Sequence, residues 1–239
     1  MTKETNKEDK KYYIFKMNMP VLNVFSFVLL GIFIGIGLLI YKGFWKEYTD
    51  NLLKMGLFLV AYFGYMVLHE LLHAFSYRIH GAKGKRITFG IHLEKSILCC
   101  LCKQDITKKN ICISLVYPFF FIGIVTYVIG AIFKLPMLFL LSTFNLSGCI
   151  GDLVMFIFIS RLPKDIKYAE YDDPTAFAIL SSEDLSQRKP FGLKYEGTKT
   201  KLEQKDLKKV QISKMSIAFI IVLALLTAMM VTMAIVLGK

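Results

Sequence analysis

The sequence predicts an all-α membrane protein of about five transmembrane helices, with a short β-hairpin-like cytoplasmic segment between the second and third. Three observations predict it. The 239-residue chain is 55% hydrophobic with a mean hydropathy of +0.51, too apolar for an ordinary soluble domain. It holds five apolar runs of about bilayer length. Its basic residues alternate between rich and poor segments along the chain.

The elements follow in order. A cytoplasmic N-terminal segment, residues 1–19, carries Lys3, Lys7, Lys10, Lys11 and Lys16. The first run, Pro20–Tyr41, follows lysines as a signal peptide does, but it is long and lacks a small-residue cleavage pattern. It reads as an uncleaved span. The second run is Leu52–Tyr77 and the third Ile111–Phe133. Between them, RITFGIHLEKSILCCLCKQDITKK is too charged to span and lacks helical periodicity. It reads as short strands, a hairpin near the cytoplasmic membrane face within a strand-like loop over 78–110. The fourth run, Pro136–Ser160, completes a membrane-embedded core over 20–160. A basic cytoplasmic loop, 161–213, holds a turn signal at Asp173-Pro174 and a candidate strand at Ala176–Leu180. Its lysine-rich remainder reads as flexible, ahead of a fifth helix over 214–239.

A net charge of +12 raises the question of nucleic acid. The alternation answers it: basic residues crowd the segments that the positive-inside rule assigns to the cytoplasm, with the N-terminus there. Topology accounts for the charge, and no nucleic-acid partner is needed. The same residues favour anionic lipid at the cytoplasmic face. The composition suits a bacterial plasma membrane. Five cysteines in such a chain read as free thiols rather than disulfides.

Within the second run stands VLHELLHAF. An ionisable side chain at the centre of a bilayer costs on the order of 2.5–3.5 kcal/mol even on insertion scales, so something must offset three of them. His69-Glu70-Leu71-Leu72-His73 fits H-E-x-x-H. Residues four apart on a helix project from nearly one face, which sets two imidazoles to bind one zinc ion while Glu70 acts as general base. The competing reading has the histidines bonding to other helices, with Glu70 neutral beside them.

A catalytic zinc site commonly takes a third protein ligand. The fourth run has one ionisable residue, Asp152, nine residues before Arg161, or roughly 13 Å at the helical rise. His69 and His73 lie nine and five residues before Arg78, roughly 13 and 8 Å. Both runs point the same way, so the three candidate ligands share one slab of the membrane. Asn145 and Gly148 fall on the helix face of Asp152, which offers Asn145 as a substrate contact and Gly148 as a gap for close approach. Helix packing or interhelical bonding competes for Asn145, as Ser147 and Gly151 also form a small-xxx-small pair. Cys99, Cys100 and Cys102 lack a matching Cys/His pair and read as half-buried strand residues. Pro118 reads as a helix start or kink.

Together, HELLHAF, the hairpin-like segment, ISLVYPFFF, NLSGCIGD and YDDPTAFAIL resemble the zincin peptidase family of small multi-pass membrane proteins, distantly similar to site-2 proteases. The resemblance covers roughly residues 50–185. It implies intramembrane zinc ligands at His69, His73 and Asp152, with Glu70 as base. Site-2 proteases typically follow the ligand aspartate with glycine and precede it with an asparagine-proline element. Here Leu153 follows Asp152, and no proline lies near Asn145.

The function these residues predict is that of a zinc-dependent, membrane-embedded metallopeptidase. It would cleave a membrane protein or peptide at the cytoplasmic side, with extended substrate added to the hairpin edge. The alternative is a non-catalytic membrane protein with a structural metal or a partner-binding role. A metal transporter fits less well, since the polar residues occupy one half of the membrane only.

Overall fold

The computed structural model describes residues 10–40, 52–82, 87–92, 97–171, 173 and 175–202. The predicted fifth span, the first inter-helical loop at 41–51 and Pro174 lie outside them.

The protein is mostly helical; among the described residues three helices are long and apolar enough to cross a membrane, and a bent pair makes a fourth if counted as one span. Helix α1 (Met19–Ile40) carries Pro20 in its first turn, where a missing N–H costs nothing. It is apolar all round and buries only Leu22 and Gly37, the pattern of a lipid-facing span. Helix α2 (Leu52–Ile79) is 28 residues long, about 42 Å. Helix α3 (Lys108–Pro118) is capped by the Thr107 side chain, which accepts from the Asn110 amide. Past Pro118 the helix runs through a π-helical stretch, Phe119–Val125, into α4 (Thr126–Ile132). The predicted fourth span is two helices, α5 (Pro136–Gly148) and α6 (Ile150–Ser160), bent by 45° at Cys149.

Strands depart from the all-α expectation. Strand β1 (Lys11–Met17) precedes α1, in a segment without a predicted element. Strands β2 (Ile87–His92) and β3 (Ile97–Cys102) pair antiparallel, with Phe89 opposite Cys100. Strands β4 (Ile106–Thr107), β5 (Lys167–Glu170), β6 (Ala176–Ser181) and β7 (Leu193–Lys199) join β1 in an antiparallel sheet of order β4-β5-β6-β1-β7. The region predicted to be flexible thus contains β7. Its alternating burial shows why: the face of Leu193 and Tyr195 meets the core while Lys194 and Glu196 face out.

Aromatic side chains lock this sheet to the end of α6. Phe15 meets Phe158 edge-on at 4.7 Å between centroids, and Tyr168 stacks on Phe177 at 5.7 Å. Phe15, Phe177, Ile159, Ile166 and Leu185 are fully buried there. The sheet therefore anchors α6, and through it the position of Asp152.

Candidate metal centre

His69 and His73 sit one turn apart on α2 and direct their Nε2 nitrogens to the same point, 3.2 Å from each other. Asp152, in the first turn of α6, brings Oδ2 to 3.2 Å from His69 Nε2 and 3.5 Å from His73 Nε2. A tetrahedral zinc ion with bonds of about 2.0–2.2 Å spaces its ligand atoms roughly 3.3–3.5 Å apart. The triangle has that size, and its two neutral nitrogens and one carboxylate form a donor set zinc accepts. All three side chains are largely shielded, at 16%, 8% and 18% exposure.

The outward nitrogens are engaged as well. His69 Nδ1 lies 3.0 Å from Asn145 Oδ1, and His73 Nδ1 lies 3.0 Å from the Ser114 carbonyl. Both acceptors take an N–H, which leaves the Nε2 lone pairs free for a metal. The Ser114 carbonyl is available for a covalent reason. Its helical partner four residues on is Pro118, which has no N–H. The Pro118 carbonyl, at the start of the π-helical stretch, accepts in turn from Asn145 Nδ2 at 3.3 Å. Pro118 was expected as a helix start or kink; it also leaves the Ser114 carbonyl to His73 and holds the Asn145 amide that meets His69.

Cys149 was not expected at the site. Its Sγ, with donor atoms of His69 and Asp152, forms a group lying within 4.8 Å. However, Sγ approaches His69 at Nδ1, 3.9 Å away, on the ring side opposite the Nε2 triangle, and accepts from Asn145 Nδ2 at 3.6 Å. The Nε2 triangle, where two histidines and the carboxylate converge, is the arrangement that could hold an ion. The cue for Cys149 lay in the sequence: it falls four residues after Asn145 and three before Asp152, within one turn of each.

Glu70 lies beside the triangle without joining it, and its carboxylate takes a hydrogen bond from the backbone of Cys100 on β3. Backbone groups alternate sides along a strand. Cys102, two residues on, likewise directs its backbone to Glu170. The outer edge of β3 is thus held by two carboxylates, Glu70 at the site and Glu170 behind it. Glu170 is buried, accepts from the Tyr168 hydroxyl at 3.1 Å, and burial pushes its carboxyl up to about 8. Burial also raises the thiols of Cys99, to about 12, and of Cys100. Burial thus favours the neutral thiol at both positions.

A cavity of about 150 Å³ opens on His69 and Glu70, walled by Leu98, Phe144, Asn145 and Gly148. Gly148, expected to permit close approach, faces open space instead: an added Cβ would meet nothing within 4 Å. Asn145, expected as a substrate contact, reaches this wall while its amide is engaged by His69 and Pro118.

Residues 62–167 match the model of a family described as "Putative zincin peptidase". No curated protein gave a significant match. No solved structure did either. The matched segment contains His69, Glu70, His73 and Asp152. The match and the His/Cys/Asp cluster together support a metallopeptidase.

Proposed function

We propose that this protein is a zinc-dependent metallopeptidase embedded in a cell membrane, acting on a membrane-associated protein or peptide at the membrane face where the sheet lies. The observation that carries this reading is the His69–His73–Asp152 triangle of bonding size with an uncoordinated glutamate beside it. A purely structural metal site has no use for Glu70.

Connectivity favours four crossings. Strand β1 precedes α1 and β5–β7 follow α6, yet they share one sheet, so the chain between them crosses the bilayer an even number of times. Three long helices and the bent pair supply four. The basic N-terminal segment then puts the sheet in the cytoplasm.

His69, His73 and Asp152 would hold the zinc, with Asn145 and the Ser114 carbonyl fixing the ring tautomers. Bound zinc polarises a scissile carbonyl and makes water acidic enough to attack near neutral pH. Glu70 receives the proton of the attacking water and delivers it to the leaving amine. In the resting arrangement Glu70 is tied to the Cys100 backbone. An extended substrate added to the β3 edge takes over that N–H and releases the carboxylate, so strand addition both places the peptide bond and frees the base. Asn145, on the cavity wall, borders the substrate while it orients His69.

Metal content by mass spectrometry tests the reading. We expect about one zinc per chain in the detergent-purified protein, lost in His73→Ala and Asp152→Ala and kept in Glu70→Gln. Glu70→Gln should also abolish cleavage of a membrane substrate. Full activity in that variant would leave a non-catalytic metal site as the better account.

A further inference from the structure

We propose that the protein carries a built site for an anionic phospholipid where α6 meets the sheet, about one helix length from the metal centre. A cavity of about 340 Å³ lies there, within the range of small-molecule sites. Its floor is apolar, formed by Val154, Ile157 and Phe158 of α6, and its rim is cationic, formed by Arg161, Arg188 and Lys189.

The charges on the rim are not all balanced within the protein. Arg188 pairs with Glu183 at 2.7 Å, while Arg161 and Lys189 are exposed and have no carboxylate partner among the described residues. The end of a helix ordinarily repels an anion through its free carbonyls. Here Lys108 donates to the carbonyls of Ser160 and Leu162, which offsets that repulsion.

Polarity along the site matches a phospholipid better than a free anion. Ile157 is 47% exposed and lies one turn before Arg161, about 6 Å along the axis. Apolar surface therefore gives way to cationic surface over the length that joins an acyl chain to its phosphate. Phe191, 56% exposed, follows the basic pair and packs edge-on against Phe25 of α1 at 4.7 Å, the aromatic placement typical of a membrane interface. Gly192 makes that approach possible. Its φ of +71° suits glycine, and an added Cβ would sit 2.8 Å from Leu22. The loop is thus fitted to the surface of the helical bundle, with its cations above and its aromatic ring below.

The test uses the full chain in nanodiscs of mixed phosphatidylglycerol and phosphatidylcholine, with retained lipid counted by native mass spectrometry. We expect a phosphatidylglycerol retained preferentially, and a loss of roughly thirty-fold in Arg161→Gln/Lys189→Gln, two basic contacts at about fivefold each. Arg161→Lys/Lys189→Arg should keep the lipid. Lys194→Gln/Lys201→Gln removes the same charge outside the cavity and should have little effect. Equal loss in that control pair would overturn the proposal in favour of diffuse surface charge. Displacement of the lipid by millimolar inorganic phosphate would overturn it in favour of a free-anion site, and no preferential retention by the unmodified chain would overturn it outright.

Discussion

Asn145 and Asp152, on either side of the bend at Cys149, approach opposite nitrogens of one imidazole: Asn145 Oδ1 is 3.0 Å from His69 Nδ1, and Asp152 Oδ2 is 3.2 Å from His69 Nε2. The break in the helix therefore clasps a single ring, with a tautomer-setting acceptor on one side and a carboxylate on the other.

The clasp makes Asn145 matter to the metal. Asn145→Leu should fold and lower zinc affinity by 10–100-fold, the usual cost of losing a partner behind a ligand histidine. Asn145→Asp, which keeps the acceptor, should lose far less. Competition titration with a chelating dye reads both. Equal affinity in Asn145→Leu and the unmodified protein would leave the residue a packing role only.

Pro118 offers a test in which stability and metal binding move apart. Pro118→Ala restores an N–H that competes for the Ser114 carbonyl, now bound by His73 Nδ1 at 3.0 Å. The helix should gain stability, by up to ~3 kcal/mol, while zinc affinity falls severalfold. Thermal unfolding of the zinc-free protein and zinc titration give the two readouts. A parallel fall in both would point to general damage instead.

Glu170 predicts a pH dependence. Its ordinary value is 4.5, and burial raises it to about 8 in the folded chain. Between those values the folded state binds the extra proton, so stability falls as pH rises from about 4.5 to about 8 and stays lower above. Glu170→Gln is neutral throughout and should flatten this profile. Its melting temperature should match the unmodified protein near pH 4.5 and exceed it by a few degrees at pH 8.5. A lower melting temperature for Glu170→Gln at pH 8.5 would contradict this.

Gly148 separates metal from substrate. Because its added side chain enters open space in the cavity beside Glu70, Gly148→Leu should keep fold and zinc while blocking cleavage at least tenfold. Loss of zinc in this variant would show that the wall supports the triangle rather than admitting substrate.

Much of the site was legible because it is local or nearly so. The four-residue spacing of His69 and His73 follows from helix geometry, and Asp152 could be placed by counting residues to the nearest basic boundary. Ala176–Leu180 announced β6 by its apolar run after a turn signal. Other features were hidden for physical reasons. No proline marks the break at Cys149, and the glycines on either side of it, Gly148 and Gly151, also suit unbroken helix packing. Lys11–Met17 is flanked by lysines and has no local hairpin partner, so nothing nearby reveals that it is a strand. Its neighbours, β6 and β7, lie beyond all four helical segments. Of the outward partners of the histidines, Asn145 was open to reading as an interhelical bond, whereas the Ser114 carbonyl was not, being a backbone group released by a proline four residues away.

The interior position of β1 has a consequence for biosynthesis. Lys16 faces Ala176, so β1 must wait for a neighbour that follows it by most of the described chain. At ordinary translation rates that interval is roughly ten to thirty seconds. During it Tyr13, Ile14 and Phe15, buried in the folded chain, would lack their partners on β6 and β7. The nascent chain contains His69, His73 and Asp152 before it possesses the sheet that anchors Phe158. On the function proposed above, the site would be complete only once translation has passed β7, which would delay any cleavage by a half-made chain.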